Sequence, residues 1–353
     1  MASHVRLFLP GPVEVHPEIL AACAQPMIGH RQEAYRALHR EVRAGLQWLF
    51  STKNDVIIST SSATGCWEGA ARNGVKKGIL HLLNGNFSER WEESSRLCGK
   101  KTGKYELDWG KAHRPEEVRR LLATGEYDTL AIVHSETSAG VLDPLAEICA
   151  VAKEFPDVLV FVDAVSSAAT VPIDVDALGI DVMLVGVQKG LGLPPGLSFY
   201  TLSQRALDRS KGVEGKGYYF NWEVAVKSSK NDETPATPPV SQLFGLRKQL
   251  ERIRAEGLEA RWARHATMAD RVRGWAVERG FGLFAEKGYY ANGLTCVANG
   301  LGIDVAAMTK YLREARKIAV DGGYGKIKGQ TFRIGHMGDH TIARVRSLLE
   351  SMS

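Results

Sequence analysis

The chain has 353 residues, more than the usual size of one domain, and this length predicts two domains. Hydrophobic residues make up 44% of the chain and charged residues 24%, the proportions of an ordinary globular protein. The formal charge of +5 is spread along the sequence without a run of like charges. Composition therefore predicts anionic small-molecule ligands and argues against a nucleic-acid partner.

The five cysteines are odd in number and widely separated, with no CxxC pair and no Cys/His spacing typical of zinc. They predict free thiols in a reducing compartment and no metal. The opening apolar stretch stops at Pro10-Gly11-Pro12, which is too early for a secretory signal. No apolar run approaches the roughly 20 residues that a membrane-crossing helix needs. We therefore expect a cytoplasmic protein with no membrane partner.

Between residues 55 and 201, short apolar runs alternate with amphipathic helical patterns. Continuous Val/Ile/Leu runs are typical of strands buried on both faces, and their alternation with helices predicts an α/β fold with a mostly parallel sheet. The predicted strands are Asp55–Ser59, Ile79–Leu83, Thr129–His134, Val158–Val162, Val182–Val185 and Leu197–Leu202. The predicted helices include Phe87–Cys98, Pro115–Ala123 and Leu145–Glu154.

After Pro239 the pattern changes to long helices with few strands, which predicts a smaller α+β domain. The predicted helices are Ser241–Gly257, Glu259–Arg279, Asp304–Arg316 and a last one after Gly338. The predicted strands are Leu294–Ala298 and Thr331–Ile334. We expect an N-terminal arm over 1–15, a large domain over 16–255 and a small domain over 256–353. The first long helix would be the hinge.

Four polar segments follow predicted strands, where ligands bind in parallel sheets. The Ser/Thr turn at 59–65 suits either a phosphate or simple N-capping of a helix beginning near Cys66. Asp163 either caps a turn or partners a cation, and the segment 134–138 offers turn chemistry. Lys189, beside Gln188, is either a surface residue or a desolvated amine nucleophile.

Together, these segments match the needs of pyridoxal 5′-phosphate (PLP). This cofactor requires a cradle for its phosphate, an anion against its pyridinium nitrogen and a lysine for its aldehyde. The turn at 59–65, Asp163 and Lys189 supply these groups at one predicted sheet edge. The sequence therefore predicts a PLP enzyme.

Several motifs extend this hypothesis to a family: FLPGPVEVHP, NGNFSERW, HSETSAGVL, DAVSS, GVQKGLGLPPG, TPATPPVS and TFRIGHMG. Through them the chain resembles, nearly end to end, the class V aminotransferases of the serine–pyruvate/alanine–glyoxylate group. The resemblance implies the PLP-dependent transferase fold type I. In that fold a large domain holds a mostly parallel seven-stranded sheet between helices, and a small C-terminal α+β domain follows.

The resemblance also implies roles for individual residues. Lys189 would carry PLP as a Schiff base, and Asp163 would keep the ring nitrogen protonated. The residues implied to contact the cofactor are Ser62, Ala63, Thr64, Phe87, Thr137, Asp163, Val165, Gln188, Lys189 and Thr237. Thr237 would reach the phosphate site of a second subunit, so a homodimer is implied. The chain departs from many relatives at Ala63, where Gly is common, at Phe87, where Trp is common, and at Thr234, where some have Tyr.

Arg333 matches the arginine that binds the substrate α-carboxylate, where a planar fork suits a carboxylate. Without the resemblance, a surface arginine on an edge strand would be the simpler interpretation. Gly11 would add a backbone contact to the same carboxylate. The implied reaction is a ping-pong transfer from serine or alanine to pyruvate or glyoxylate, in which the freed amine of Lys189 moves the α-proton.

The substrate side chain stays open at this point. His30-Arg31 resembles a pair in phosphoserine aminotransferases, and Lys326 and Lys328 precede Arg333, so aspartate or phosphoserine is an alternative donor. Arg31 is equally compatible with an ion pair to Glu33 or Glu41. A desulfurase or lyase is disfavoured because Cys296 lies in a strand-like run, and the complete Lys189, Asp163 and Arg333 set disfavours a non-catalytic PLP-binding protein.

Overall fold

The computed structural model describes residues 4–353. Its strands are β1 Arg6–Leu7, β2 Asp55–Ser59, β3 Ile79–Leu83, β4 Thr102–Glu106, β5 Thr129–Val133, β6 Ser135–Glu136, β7 Val141–Leu142, β8 Leu159–Asp163, β9 Val182–Gly186, β10 Ser198–Leu202, β11 Gly282–Leu283, β12 Leu294–Ala298, β13 Ile318–Ala319 and β14 Thr331–Gly335. Its helices are α1 Pro17–Cys23, α2 Glu33–Leu49, α3 Ala63–Gly74, α4 Asn86–Leu97, α5 Pro115–Leu122, α6 Leu145–Ala152, α7 Val175–Leu178, α8 Gln204–Lys211, α9 Trp222–Ser229, α10 Val240–Glu256, α11 Leu258–Glu278, α12 Val305–Ala315 and α13 Ile342–Met352, with a 3₁₀ turn at Gly325–Ile327.

A seven-stranded sheet in the order β2-β10-β9-β8-β5-β3-β4 forms the centre of the fold. Only β10 runs antiparallel to its neighbours, β2 and β9. The six strands predicted from apolar runs are confirmed, with ends that differ by one residue at most. The strand β4 was not predicted because its sequence, TGKYE, is polar and lies at the edge of the sheet, where one side needs no apolar cover.

The sheet is buried between two hydrophobic layers, as the continuous apolar strands require. One layer packs α2, α5, α6 and α10 against the sheet, and the other packs α3 and α9. The helix α3 begins at Ala63, three residues before the predicted start near Cys66. Ser62 is its N-cap, so Ala63 and Thr64 lie in the first turn, where backbone N–H groups have no partner within the helix.

The C-terminal part of the chain contains a second sheet, in the order β11-β12-β14. Phe332 and Ile334 of β14 pack with residues of α11 and α13 in a separate hydrophobic core. The N-terminal strand β1 pairs in parallel with β13, so the first described residues join this part of the molecule. The predicted helices and strands after Pro239 are confirmed, whereas the domain limits at 15 and 255 stay predictions.

Among the described residues, no helix is both long enough and apolar enough to cross a membrane.

Gly335 is where the N-terminal segment crosses β14. Its N–H donates to the carbonyl of Phe8 at 2.8 Å, and a Cβ at this glycine would lie 2.1 Å from the carbonyl oxygen of Leu9. We expect Gly335→Ala to lower the free energy of unfolding by about 1–3 kcal/mol, because the clash is with backbone and cannot be relieved by a side chain. Urea unfolding followed by circular dichroism measures the change.

The matched control is Gly274→Ala in α11, where an added Cβ meets nothing within 4 Å. Alanine has the higher helix propensity, so this variant should gain up to about 1 kcal/mol. Equal unfolding midpoints for the two variants would contradict the close approach at Gly335.

Candidate active site

Lys189 lies just after β9, at the carboxyl edge of the central sheet, and only 8% of it is exposed. Its Nζ donates to the hydroxyls of Thr137, at 2.9 Å, and Ser166, at 2.8 Å. These two hydroxyls also bond to each other. The amine is therefore held in one position, and the interpretation of Lys189 as a surface residue is wrong.

Burial lowers the pKa of the Lys189 amine from 10.5 to about 8, because desolvation penalises the charged form. The carboxylates of Asp163 and Glu136 oppose this shift, and the guanidinium of Arg333 adds to it. An amine with this pKa is partly neutral near physiological pH, which is the state that attacks an aldehyde or accepts a proton.

Asp163 ends β8, the strand next to β9, and is buried. Its Oδ1 accepts from the N–H of Val165 and its Oδ2 accepts from the indole of Trp67, both at 2.8 Å. Desolvation raises the pKa of this carboxyl to about 6 despite these bonds. At neutral pH the site therefore holds a carboxylate that a cationic ring nitrogen would stabilise.

One cavity brings most of the predicted cofactor residues together. Its lining comprises Ser62, Ala63, Thr64, Trp67, Phe87, Val133, Ser135, Thr137, Asp163, Val165, Ser166, Gln188 and Lys189. The start of α3 contributes Ser62 and Thr64, which are exposed, and Ala63, which is buried, and the Ser62 side chain makes no capping bond there. This cradle fits a phosphorylated aromatic aldehyde: N–H groups for the phosphate, a carboxylate for a ring nitrogen and an amine for the aldehyde.

Phe87 is positioned by Glu136, a residue that the sequence did not single out. This fully buried carboxylate accepts from the N–H groups of Phe87, at 3.0 Å, and Ser88, at 2.9 Å, in the first turn of α4. It also accepts from the N–H and hydroxyl of Ser138. Glu136 thereby ties the segment that carries Thr137 to the helix that carries Phe87, whose ring centre lies 5.0 Å from the Nζ of Lys189.

Arg333 lies in β14 and is 4% exposed, so the interpretation as a surface arginine is wrong. Its Nε donates to Asp321 at 2.8 Å, and its Nη1 donates to the carbonyl of Thr137 at 2.9 Å. These bonds occupy only some of the N–H groups of the guanidinium, so others remain for a substrate carboxylate. Thr137 therefore contacts both Arg333, through its carbonyl, and Lys189, through its hydroxyl.

Gly11 packs against the aliphatic stem of Lys189. A Cβ at this glycine, which has φ of +123°, would lie 2.8 Å from the Cγ of Lys189. The next turn is fixed by the N–H of Val13, which donates to the carbonyl of Gln188 at 3.1 Å. A side chain at position 11 would therefore push the amine out of its place.

Four predicted site residues are not part of the cavity lining: Arg333 and Gly11, which contact the lining residues Thr137 and Lys189, and Arg31 and Thr237, which lie at the surface. Arg31 is exposed and pairs with Glu233 at 2.8 Å, rather than with Glu33 or Glu41. Thr237 is exposed, and its carbonyl accepts from the hydroxyl of Thr60 at 3.2 Å. Their predicted roles in substrate and phosphate binding stay predictions.

The cysteine alternative is contradicted by the position of Cys296. This residue lies in the middle of β12 and is 3% exposed, and burial raises the pKa of its thiol to about 12. A persulfide-forming cysteine must be ionised and reach the cofactor on a mobile loop, and Cys296 does neither.

Trp67 and Ser166 are cavity residues that sequence reasoning missed. Trp67 follows Thr64 by three positions in α3, and this spacing places both on one helix face. Ser166 follows Val165 directly. The helical spacing from Thr64 could have identified Trp67. Nothing in the serine pair 166–167 indicates which hydroxyl contacts Lys189.

The model of the family described as "Aminotransferase class-V" matches residues 18–331 of the chain. A soluble hydrogenase small subunit of Synechococcus sp. is 32% identical over all of this chain and 94% of its own length. A serine–glyoxylate aminotransferase of Methylorubrum extorquens is 30% identical (94% of this chain, 86% of that protein). An L-aspartate–glyoxylate aminotransferase of Paracoccus denitrificans is 32% identical (98% and 90%).

The structure is also similar to solved ones. The crystal structure of an alanine–glyoxylate aminotransferase from Nostoc sp. superposes with a TM-score of 0.94 at 30% identity, covering all of this chain and 95% of that one. The agreement extends over both sheets, so the fold expected from the resemblance is confirmed.

The lowered pKa of Lys189 predicts an unusual pH profile for its reactivity. In the cofactor-free protein, reductive labelling by a small aldehyde should rise with pH through about 8, because only the neutral amine reacts. Asp163→Asn removes the carboxylate that favours the ammonium most, so the midpoint should move to lower pH. Peptide mass spectrometry measures the label, with exposed Lys310 as the internal reference. A midpoint for Lys189 near 10.5 would contradict its desolvation.

Proposed function

Since the chain belongs to the class V aminotransferases, we propose that it transfers the amino group of serine or alanine to a 2-oxo acid, pyruvate or glyoxylate. The observation that carries this proposal is the buried amine of Lys189, which the hydroxyls of Thr137 and Ser166 hold in one cavity with the carboxylate of Asp163. The reaction is proposed to be ping-pong, with one site serving donor and acceptor in turn.

PLP is the cofactor we assign to the cavity, in keeping with the PLP dependence of the family. When bound, it withdraws electrons from the α-carbon of the substrate and so eases loss of the α-proton. The first turn of α3, beginning at Ala63, would bind the phosphate through its N–H groups and helix dipole. Asp163 would hold a proton on the ring nitrogen, and Phe87 would cover one face of the ring.

Lys189 would first hold the cofactor and then act as the base. With its Nζ free, Lys189 would take the α-proton of the donor as a base and, once protonated, give it back as an acid. The hydroxyls of Thr137 and Ser166 keep the amine aimed at the cavity, since both accept from it. Arg333 would fix the substrate carboxylate, and thereby the direction in which the α-proton points.

A neutral donor is favoured because the nearby cations already have partners. Arg31 pairs with Glu233, and Lys326 lies 3.6 Å from Glu89. A second substrate anion, which aspartate or phosphoserine would bring, would have to compete with these carboxylates for the two cations. Aspartate stays an alternative donor because one relative is an L-aspartate–glyoxylate aminotransferase. Lys328, the other lysine before Arg333, is exposed.

A homodimer is part of the proposal. In relatives a second subunit completes the phosphate site, and Thr237 is the matching residue. Its exposure at the surface of the single chain is compatible with such a contact.

A half-reaction screen tests the proposed function. Alanine, serine, aspartate, glutamate and phosphoserine are mixed in turn with the PLP-loaded protein, and loss of the absorbance of the bound cofactor is followed. Alanine or serine should react fastest. Faster conversion by aspartate or phosphoserine that is abolished in Arg31→Ala would replace the neutral donor with an acidic one, and no conversion by any donor would contradict a transaminase.

Arg333→Lys should lower the second-order rate constant for every donor by at least about 30-fold, because a lysine cannot make a two-point bond to the carboxylate. The matched control is Arg344→Lys on the exposed face of α13, which should react as the unmodified protein does. Equal rates for the two variants would rule out Arg333 as the carboxylate-binding residue.

A further inference from the structure

We infer that Tyr324 forms the wall of the substrate site opposite Lys189 and restricts the amino donor to small, neutral side chains. This inference rests on the proposed function and adds the residue that selects the substrate. Tyr324 lies in the segment 321–330, before β14, and its ring is partly exposed.

The ring of Tyr324 lies between two residues of the candidate site. It stacks on Phe87 with ring centres 5.6 Å apart and an interplanar angle of 21°. On the other side, the Cζ of Arg333 lies 5.0 Å from the centre of the Tyr324 ring. Phe87 lines the cavity and lies 5.0 Å from the Nζ of Lys189, so Tyr324 contacts both a residue of the cavity and the proposed carboxylate-binding arginine.

Asp321 couples the position of Tyr324 to that of Arg333. Its Oδ1 accepts from the Nε of Arg333 at 2.8 Å and from the N–H of Gly323 at 2.9 Å. Gly323 has φ of +91°, and a Cβ there would lie 2.6 Å from the carbonyl oxygen of Thr331. The backbone next to Tyr324 is therefore fixed by the same carboxylate that orients the guanidinium.

A second anchor joins the segment to the first turns of α4. The Nζ of Lys326 lies 4.5 Å from the ring centre of Trp109 and 3.6 Å from Glu89. The indole of Trp109 donates to Glu89 at 2.6 Å. Because α4 also carries Phe87, the stacked pair of Phe87 and Tyr324 is held from both sides.

A donor must fit its side chain into the space that these contacts leave. Its carboxylate would bind Arg333 and its α-carbon would face Lys189, so the side chain would meet the ring of Tyr324. A side chain longer than that of alanine or serine would have to displace the ring from Phe87 and Arg333. The side chain of aspartate is longer than that of alanine or serine, so an acidic donor would meet the same steric limit. The geometry thus selects against both large and acidic donors.

The experiment compares donors of increasing length in the PLP-loaded protein: alanine, 2-aminobutyrate, norvaline and norleucine, with aspartate as the acidic arm. The ratio of second-order rate constants for norleucine and alanine is measured in the half-reaction. In Tyr324→Ala this ratio should rise by about 10–200-fold, the usual range for removing a steric restriction on a methylene. Tyr324→Phe keeps the ring and should retain the original ratio.

Binding provides a readout that needs no cofactor. Straight-chain carboxylates from acetate to hexanoate are titrated into the cofactor-free protein by calorimetry, and the change of Kd with chain length is compared. In Tyr324→Ala the longer acids should gain affinity relative to acetate. Tyr311→Ala, which removes an exposed tyrosine from α12, is the matched control and should leave both length profiles unchanged.

The outcomes separate this inference from the proposed function. An unchanged ratio of the norleucine and alanine rate constants in Tyr324→Ala would contradict the role of Tyr324 as a wall. An equal loss of rate with every donor would contradict it as well. If that variant fails to fold, as judged by circular dichroism, Tyr324→Leu replaces it with the same expected direction. If the unmodified protein reacts with no donor, the proposed function fails, and the carboxylate titration still decides whether Tyr324 limits ligand length.

Discussion

Burying the amine of Lys189 carries an electrostatic cost that the surrounding residues offset in different ways. Desolvation favours the neutral amine, whereas the buried carboxylates of Asp163 and Glu136 favour the ammonium. The guanidinium of Arg333 disfavours the ammonium and so lowers the pKa of Lys189 further. The balance leaves a pKa of about 8, which allows one side chain to be protonated and deprotonated within a working cycle.

The parallel sheet is what makes this balance possible. Strands β8 and β9 are neighbours, so Asp163 at the end of one and Lys189 just after the other reach the same edge. Thr137 follows β5, which pairs with β8 on its other side. Arg333 comes from the C-terminal sheet and bonds to the carbonyl of Thr137. The guanidinium that we propose as the carboxylate-binding group is thus held by a contact between the C-terminal sheet and the edge of the central sheet.

The central strands and the lysine with its aspartate were predictable because their signals are local: apolar runs followed by polar residues at a known sheet edge. The strand β4 was missed because an edge strand need not be apolar, and α3 was started too late because its first turn is built from Ser, Ala and Thr. Partners that lie far apart in the sequence could not be predicted from such local patterns. Glu233 lies 202 positions from Arg31, and no local rule selects it over Glu33 or Glu41. Glu136 and Tyr324 are likewise defined by what they touch across the fold.

The pairing of β1 with β13 has a consequence for the order in which the chain folds during synthesis. The carbonyls of Leu7 and Phe8 receive bonds from His340 and Gly335, which are made more than 300 residues later. The central sheet ends at Leu202 and can form while the ribosome is still adding the C-terminal part. Gly11 can reach its place against Lys189 only after the segment before it has been captured by those late residues. The contact between Gly11 and the stem of Lys189 therefore forms in the last stage of folding.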